Sequence, residues 1–270
     1  QITNRQPLSV AESKYQRFWD KEVCSAIRNE IASSCSSDIE SARLLANGVK
    51  ESSAWLNALP CSSLGTLLDN QSFRISFGLR LGLPICHPHT CVCGTEVDRF
   101  GRHGLACKKC FGRKSRHETI NDLIKRALVT CGIPARREPT GCSRSDGKRP
   151  DGITLIPWKR GKPLIWDFTS ADTTCQSYVK QTRRQPGSAA NVRENAKRAK
   201  YRCLEDNFIF YPVSLETMGP MGEEGRQLID QIGKLMKEAT GEPKSKSFFM
   251  QRISIANQRG NAASVLGTLA

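Results

Sequence analysis

The spacing of apolar positions sets helices at both ends of the chain and short strands in its middle. Phe18, Trp19, Val23, Ile27 and Ile31 recur at helical spacing within residues 8–34 and predict a core-forming amphipathic helix. A second core helix is predicted over residues 38–58, with Asp38 as its N-cap and Ser41 on its first turn. Residues 72–83 alternate apolar and polar at first; Arg74 and Arg80 read there as a solvated face, with contact to nucleic acid as the alternative. A helix over residues 118–130 carries Ile120, Leu123, Ile124, Ala127 and Leu128 as its buried stripe and stops at Gly132 and Pro134. Short strands follow at 135–138, 153–156 and 164–166. A helix at about 189–204 then shows Val192, Ala196, Ala199 and Cys203 as an apolar stripe. Residues 208–213 read as a further core strand and 223–239 as a helix with Leu228, Ile229, Ile232 and Leu235 inward. Residues 244–270 close the chain with a basic helix that lies on DNA or on the N-terminal helices.

The runs 153–156 and 164–166 are joined by the turn-rich, basic Pro157-Trp158-Lys159-Arg160-Gly161-Lys162-Pro163, a hairpin pattern. A hairpin doubles back, so the start of one strand lies beside the end of the next. Asp151, at the mouth of the first run, and Asp167, near the end of the second, are therefore expected to converge. Two convergent carboxylates suit a hard divalent cation such as Mg²⁺ or Mn²⁺, which takes oxygen ligands. In Arg149-Pro150-Asp151-Gly152, proline fixes the backbone and removes a donor, and glycine leaves room for a scissile phosphate. Glu138 reads as an outer ligand of the same cation, or equally as a surface carboxylate beside Arg136 and Arg137. Lys197 and Lys200 lie one turn apart on one helix face. Each reads as a cation for the reacting phosphate, or as a plain phosphate-backbone contact.

Cysteines add a second chemistry. Five of twelve fall between Cys86 and Cys110, interleaved with His87, His89 and His103, a spacing too uneven for a disulfide scaffold and one that points to a reducing compartment. Cys91-x-Cys93, a nine-residue loop and His103-x3-Cys107 offer four ligands to a tetrahedral Zn²⁺. Cys86 or His89 could replace the first ligand and Cys110 could replace Cys107; reduced cysteines without metal are the alternative. Zinc would supply the core that so short a segment lacks. Its expected role is local order and nucleic-acid contact, not catalysis.

Charge adds a partner. Forty-one basic against twenty-six acidic residues give a formal net charge of +15. That excess favours a polyanion, because neutralising phosphates releases counterions. Arg113, Arg116, His117, Arg149, Lys159 and Arg160 are the candidate contacts. No apolar run approaches the roughly 18 residues of a membrane span, so no membrane partner is expected. No secretory leader is read at the N-terminus. The chain begins at Gln1 rather than methionine and is expected to be the tail of a longer polypeptide.

The Cys/His cluster, Arg116-His117, Glu138-Pro139, Arg149-Pro150-Asp151-Gly152 and Trp166-Asp167, in that order, resemble the C-terminal region of non-LTR retrotransposon polyproteins. Those carry a restriction-like PD-(D/E)xK endonuclease behind a zinc knuckle. The likeness covers about residues 54–270 and is strongest over 91–201. It implies an α/β fold, with a central mixed sheet flanked by helices, a small zinc element and a helical N-terminal segment. The corresponding bounds are 1–75 for the helical segment, 76–112 for the zinc element, 113–242 for the endonuclease and 243–270 for a basic helical extension. It also implies a Mg²⁺-dependent endonuclease that nicks DNA in the nucleus. The new 3′ hydroxyl then primes a reverse transcriptase domain upstream in the same polypeptide, with element RNA as a further partner. Where the class has Asp-x-Lys, this chain has Asp167-Phe168-Thr169. The retrotransposon enzymes bring that lysine from a following helix, and Lys200-Tyr201 matches their Lys-Tyr element. The missing lysine favours a rival, a catalytically inactive zinc-dependent nucleic-acid-binding module. A cellular repair or resolvase-type nuclease with the same core is another.

Overall fold

The computed structural model describes residues 15–142 and 147–269, apart from the Arg17 side chain. Helix α1 (Gln16–Ser33) begins the described chain, so the predicted turns before it lie outside the described residues. Its stripe is not core: Trp19, Val23, Ile27 and Ile31 are all exposed. Helical spacing fixes that side chains share a face, not that another element covers it. Helix α2 (Asp38–Asn47) gives way to a 3-10 turn over Glu51–Asn57 instead of running to residue 58. Its cap is Ser37 rather than Asp38: the Ser37 hydroxyl accepts the Glu40 amide at 3.2 Å, and Glu40 accepts the Ser36 amide at 2.9 Å. The alternating stretch folds as helix α3 (Asn70–Leu81), capped by Asp69. Arg80 turns inward there, donating to the carbonyls of Asn47 and Ser52 and to the Ser53 hydroxyl. It ties α3 to α2 rather than standing on a fully solvated face.

Strands β1 (His89–Thr90) and β2 (Glu96–Val97) form a small antiparallel ribbon, followed by the single turn α4 (His103–Ala106). Helix α5 (Gly112–Thr130) starts earlier than predicted and buries Ile120, Ile124, Ala127 and Leu128. Strands β3 (Ala135–Arg137), β4 (Gly152–Thr154), β5 (Leu164–Ala171) and β6 (Ile209–Glu216) make a mixed sheet in that order. The first three are antiparallel, and β6 runs parallel to β5. A parallel pair needs a crossover, and helices α6 (Val179–Thr182) and α7 (Ser188–Tyr201) supply it. Helices α8 (Glu223–Thr240) and α9 (Ser245–Leu266) complete a mixed α/β architecture.

Side chains alternate across the sheet. Leu164, Trp166, Phe168, Val213 and Leu215 meet Ile120, Ile124 and Leu128 of α5, Leu228, Ile229 and Ile232 of α8, and Phe249 and Ile253 of α9. Ile165 and Phe210 point the other way and meet Tyr201 of α7. Helix α9 is no peripheral extension. Its first half closes this core, and Ala262 and Val265 in its second half pack with Ile75, Leu79 and Leu105. Small residues allow the approach: a Cβ on Gly260 would lie 2.5 Å from the Arg116 Cβ. Helix α7 inverts its prediction. Val192, Ala196, Ala199 and Cys203 face solvent, while Ala189, Ala190, Glu194 and Tyr201 are buried. The cause is Glu194, whose carboxylate accepts the amides of Ser214, Glu224 and Gly225 and so seals the N-terminus of α8. Among the described residues no helix is long and apolar enough to cross a membrane.

Candidate functional site

The shortness of β4 creates the site. Its ladder with β5 ends where the Asp151 amide donates to the Trp166 carbonyl at 2.9 Å. The next inward amide of β5, that of Phe168, donates to Asp151 Oδ2 at 2.6 Å. The Asp151 carboxylate therefore takes the place of a missing strand, with Asp167 between its two anchor points. Asp167 lies within β5 rather than near its end and is 3% exposed. It shares the face of Ile165, under α7, and Lys197 of that helix brings Nζ to 2.5 Å from Asp167 Oδ1. That contact is an ion pair to a buried carboxylate, whose two oxygens can accept more partners than the one ammonium. Burial, then the charge of Asp151, raises the Asp167 carboxyl above its ordinary range, with Lys197 and Tyr201 pulling it back.

His117 of α5 approaches the same acid from the other layer, its Nε2 3.0 Å from Asp151 Oδ2. Desolvation pulls the imidazole pKa down, but the hydrogen bond and charge of Asp151, with Asp167 and Glu118, outweigh it and leave the pKa raised. Tyr201 donates its hydroxyl to the Arg149 carbonyl at 2.9 Å and pins the Arg-Pro-Asp turn. Sequence reasoning named Tyr201 only within the Lys200-Tyr201 match, without this role, and missed the Phe168 amide. It also favoured Lys200, which is exposed; Lys197 is the lysine that points inward. Gly152 does not leave room for a phosphate. The indole of Trp166 fills that space, and a Cβ there would lie 2.0 Å from Trp166 Cζ2.

Other predicted contacts divide. Glu138 follows β3 at a positive φ of 47° and pairs with Arg149 Nη2 at 2.5 Å. It does not join the two aspartates in a three-ligand group among the described residues. Arg116 is 1% exposed, so it is no surface contact for nucleic acid. Its guanidinium donates to Asn261 at 2.5 Å and Ser170 at 3.0 Å, bracing α5 against α9 and β5, and burial lowers its pKa to about 10. Lys159 and Arg160 occupy the hairpin tip, at the opposite end from the acids, where Lys159 donates to Gln231 at 2.5 Å. Arg113 lines an open cleft of about 580 Å³ that reaches His117 and Phe168.

The second cluster is built on the ribbon. Gly94, at φ 87°, turns the chain so that its amide donates to the Cys91 carbonyl at 2.7 Å. Cys91 and Cys93 then face His103 and Cys107 at the two ends of α4, and the four ligand atoms lie within 4.8 Å of one another. Cys91 Sγ is 3.9 Å from Cys107 Sγ, and Cys93 Sγ is 3.1 Å from His103 Nε2. A tetrahedral zinc with Zn–S of about 2.3 Å sets sulfurs about 3.8 Å apart, so this Cys3His cluster can hold a metal such as zinc. Hydrogen bonds from Thr95 lower Cys93 to about 6. Burial pushes Cys110 up to about 12, which leaves it a neutral thiol. The other substitutes are engaged elsewhere, Cys86 on the Asp98 carbonyl and His89 between the His87 carbonyl and the Thr268 hydroxyl. All twelve cysteines are free.

Two clusters result: a soft one suited to zinc and a hard one of two carboxylates beside a lysine. No model of a known protein family matches the chain, and no curated protein matches it.

Proposed function

We propose that this chain is a divalent-metal-dependent DNA endonuclease with a restriction-like PD-(D/E)xK core. One observation carries the reading: the buried Asp167 carboxylate sits beside Asp151 and 2.5 Å from the Lys197 ammonium. Acid, acid and lysine are the groups that phosphodiester hydrolysis needs, and here they come from two strands and a helix. Mg²⁺ or Mn²⁺ held by Asp151 and Asp167 would supply Lewis-acid charge to the phosphate.

The remaining roles belong to the chain itself. Lys197 offers a positive charge where negative charge grows on the phosphate in the transition state. The Phe168 amide and His117 hold the Asp151 carboxylate in one orientation. Tyr201 fixes the turn that presents it. Zinc on Cys91, Cys93, His103 and Cys107 would order the segment leading into α5. The order of motifs supports a more specific setting: nicking of genomic DNA in the nucleus, so that a reverse transcriptase upstream in the same polypeptide extends the 3′ end, with element RNA as a further ligand.

Zinc-loaded protein incubated with supercoiled plasmid and Mg²⁺ tests the reading. Open-circle product is expected from the wild type, with a loss of at least about 10²-fold in Asp151→Ala and Asp167→Ala. No nicking with either Mg²⁺ or Mn²⁺ would leave a nucleic-acid-binding module in place of an enzyme.

A further inference from the structure

Between Arg99 and His117 the chain carries seven lysines and arginines and no aspartate or glutamate. In the middle of this stretch stands Phe111, 64% exposed. Its exposure has a local cause. Cys110 before it is buried beside the Cys/His cluster. Gly112 after it is pressed against α9, where a Cβ would lie 2.3 Å from the Ser264 nitrogen. With both neighbours fixed, the ring at the start of α5 rests one edge near Gly267, where a Cβ would lie 3.4 Å from its Cδ1 and Cε1, and leaves most of its surface outward.

A lone surface phenylalanine needs no explanation. This one shares its cleft with Lys108, Lys109, Arg113 and Lys114, none of them ion-paired to a carboxylate among the described residues. The same cleft runs on to His117 and to Phe168, whose amide holds Asp151. An aromatic face flanked by unneutralised cations is the combination that binds unpaired nucleotides, the ring stacking on a base and the cations meeting phosphates. Duplex DNA hides its base faces and gains nothing from such a ring.

We propose that Phe111 is a stacking platform for a base in a single-stranded segment, and that the lysines around it lead that strand toward Asp151 and Asp167. The substrate of the site would then be a polynucleotide with an unpaired stretch rather than an intact duplex. The strand's destination rests on the nuclease reading; the stacking does not.

The full zinc-loaded chain, without added Mg²⁺ or Mn²⁺, is titrated into labelled oligonucleotides of one sequence: single-stranded DNA, single-stranded RNA and duplex DNA. Phe111→Ala is expected to weaken single-strand binding about tenfold, the worth of one stacked base. Duplex binding should stay within about twofold, and Phe111→Tyr should bind single strands like the wild type. The single strand that the wild type binds more tightly identifies the source. Replacing Lys108 and Lys109 together with alanine should weaken all three complexes and flatten their salt dependence. An unchanged single-strand affinity in Phe111→Ala overturns the proposal. So does an equal loss on duplex, a Tyr variant as impaired as Ala, or loss of bound zinc in Phe111→Ala, which would make the ring structural. Binding without a divalent cation is silent on hydrolysis, so plasmid nicking can fail while stacking stands.

Discussion

Replacing Gly152 with alanine sets two effects of opposite sign against each other. Gly152 is not at positive φ, so alanine fits its backbone. By restricting the unfolded chain alone, the change would stabilise the protein by about 0.4–1 kcal/mol. Packing reverses that. The new Cβ would stand 2.0, 2.2 and 2.5 Å from Cζ2, Cη2 and Cε2 of Trp166. Carbon pairs rest at about 3.5–4.0 Å, so the ring must retreat by roughly 1.5 Å. It is fully buried, and its Nε1 donates to Asn121 Oδ1 at 3.0 Å, so retreat disturbs both the core and that bond. Overpacking of roughly 1–3 kcal/mol and about 1 kcal/mol for the hydrogen bond exceed the entropic gain. The expected net loss is about 2–3 kcal/mol. Urea unfolding at fixed zinc concentration, followed by tryptophan fluorescence, measures it. Trp166→Phe withdraws the clashing ring, so losses in the double variant should fall short of additive by at least about 1 kcal/mol. An alanine variant as stable as the wild type, or strict additivity, refutes the packing account.

Three further outcomes follow from the geometry. Lys197→Ala should slow plasmid nicking by about 10²–10³-fold, and Lys200→Ala by less than about threefold, in initial-rate assays; the reverse order would contradict the inward placement of Lys197. Metal analysis of dialysed protein should find one zinc per chain, lost in Cys91→Ser and Cys107→Ser and kept in Cys110→Ser. Burial raises the Glu216 carboxyl to about 7, and its Oε2 has no hydrogen-bond partner. The folded chain then holds a proton that the unfolded chain releases near pH 4.5, so this group's contribution lowers stability as pH rises from about 4.5 to 7 and is level above. Unfolding free energies measured across that window should fall less in Glu216→Gln, by up to about 3 kcal/mol; parallel curves would count against a raised Glu216.

Much of the architecture could be read from apolar periodicity, because α5 and α8 bury single-sided stripes whose spacing carries the signal. The Cys3His cluster was equally legible, since its four donors fall close together in a short segment. Several of the failures share one cause: polar residues turned inward. Glu194 and Lys197 face the sheet, so the apolar count put the wrong side of α7 inside and left Lys200 in favour. Arg116 looked like a surface cation because sequence does not reveal that Asn257, Asn261 and Ser170 surround it. The stripe of α1 erred the other way, regular in period but uncovered. Asp151 and Asp167 were found through hairpin logic, but the Phe168 amide that holds Asp151 belongs to the backbone and has no sequence signature.

The central claim is that two distant aspartates meet at one hard cation, and metal binding tests it without reference to catalysis. Calorimetric titration of Mn²⁺ into zinc-loaded protein should reveal a site that disappears in both Asp151→Asn and Asp167→Asn and survives in Glu138→Gln. Unaltered Mn²⁺ binding in either aspartate variant would contradict it.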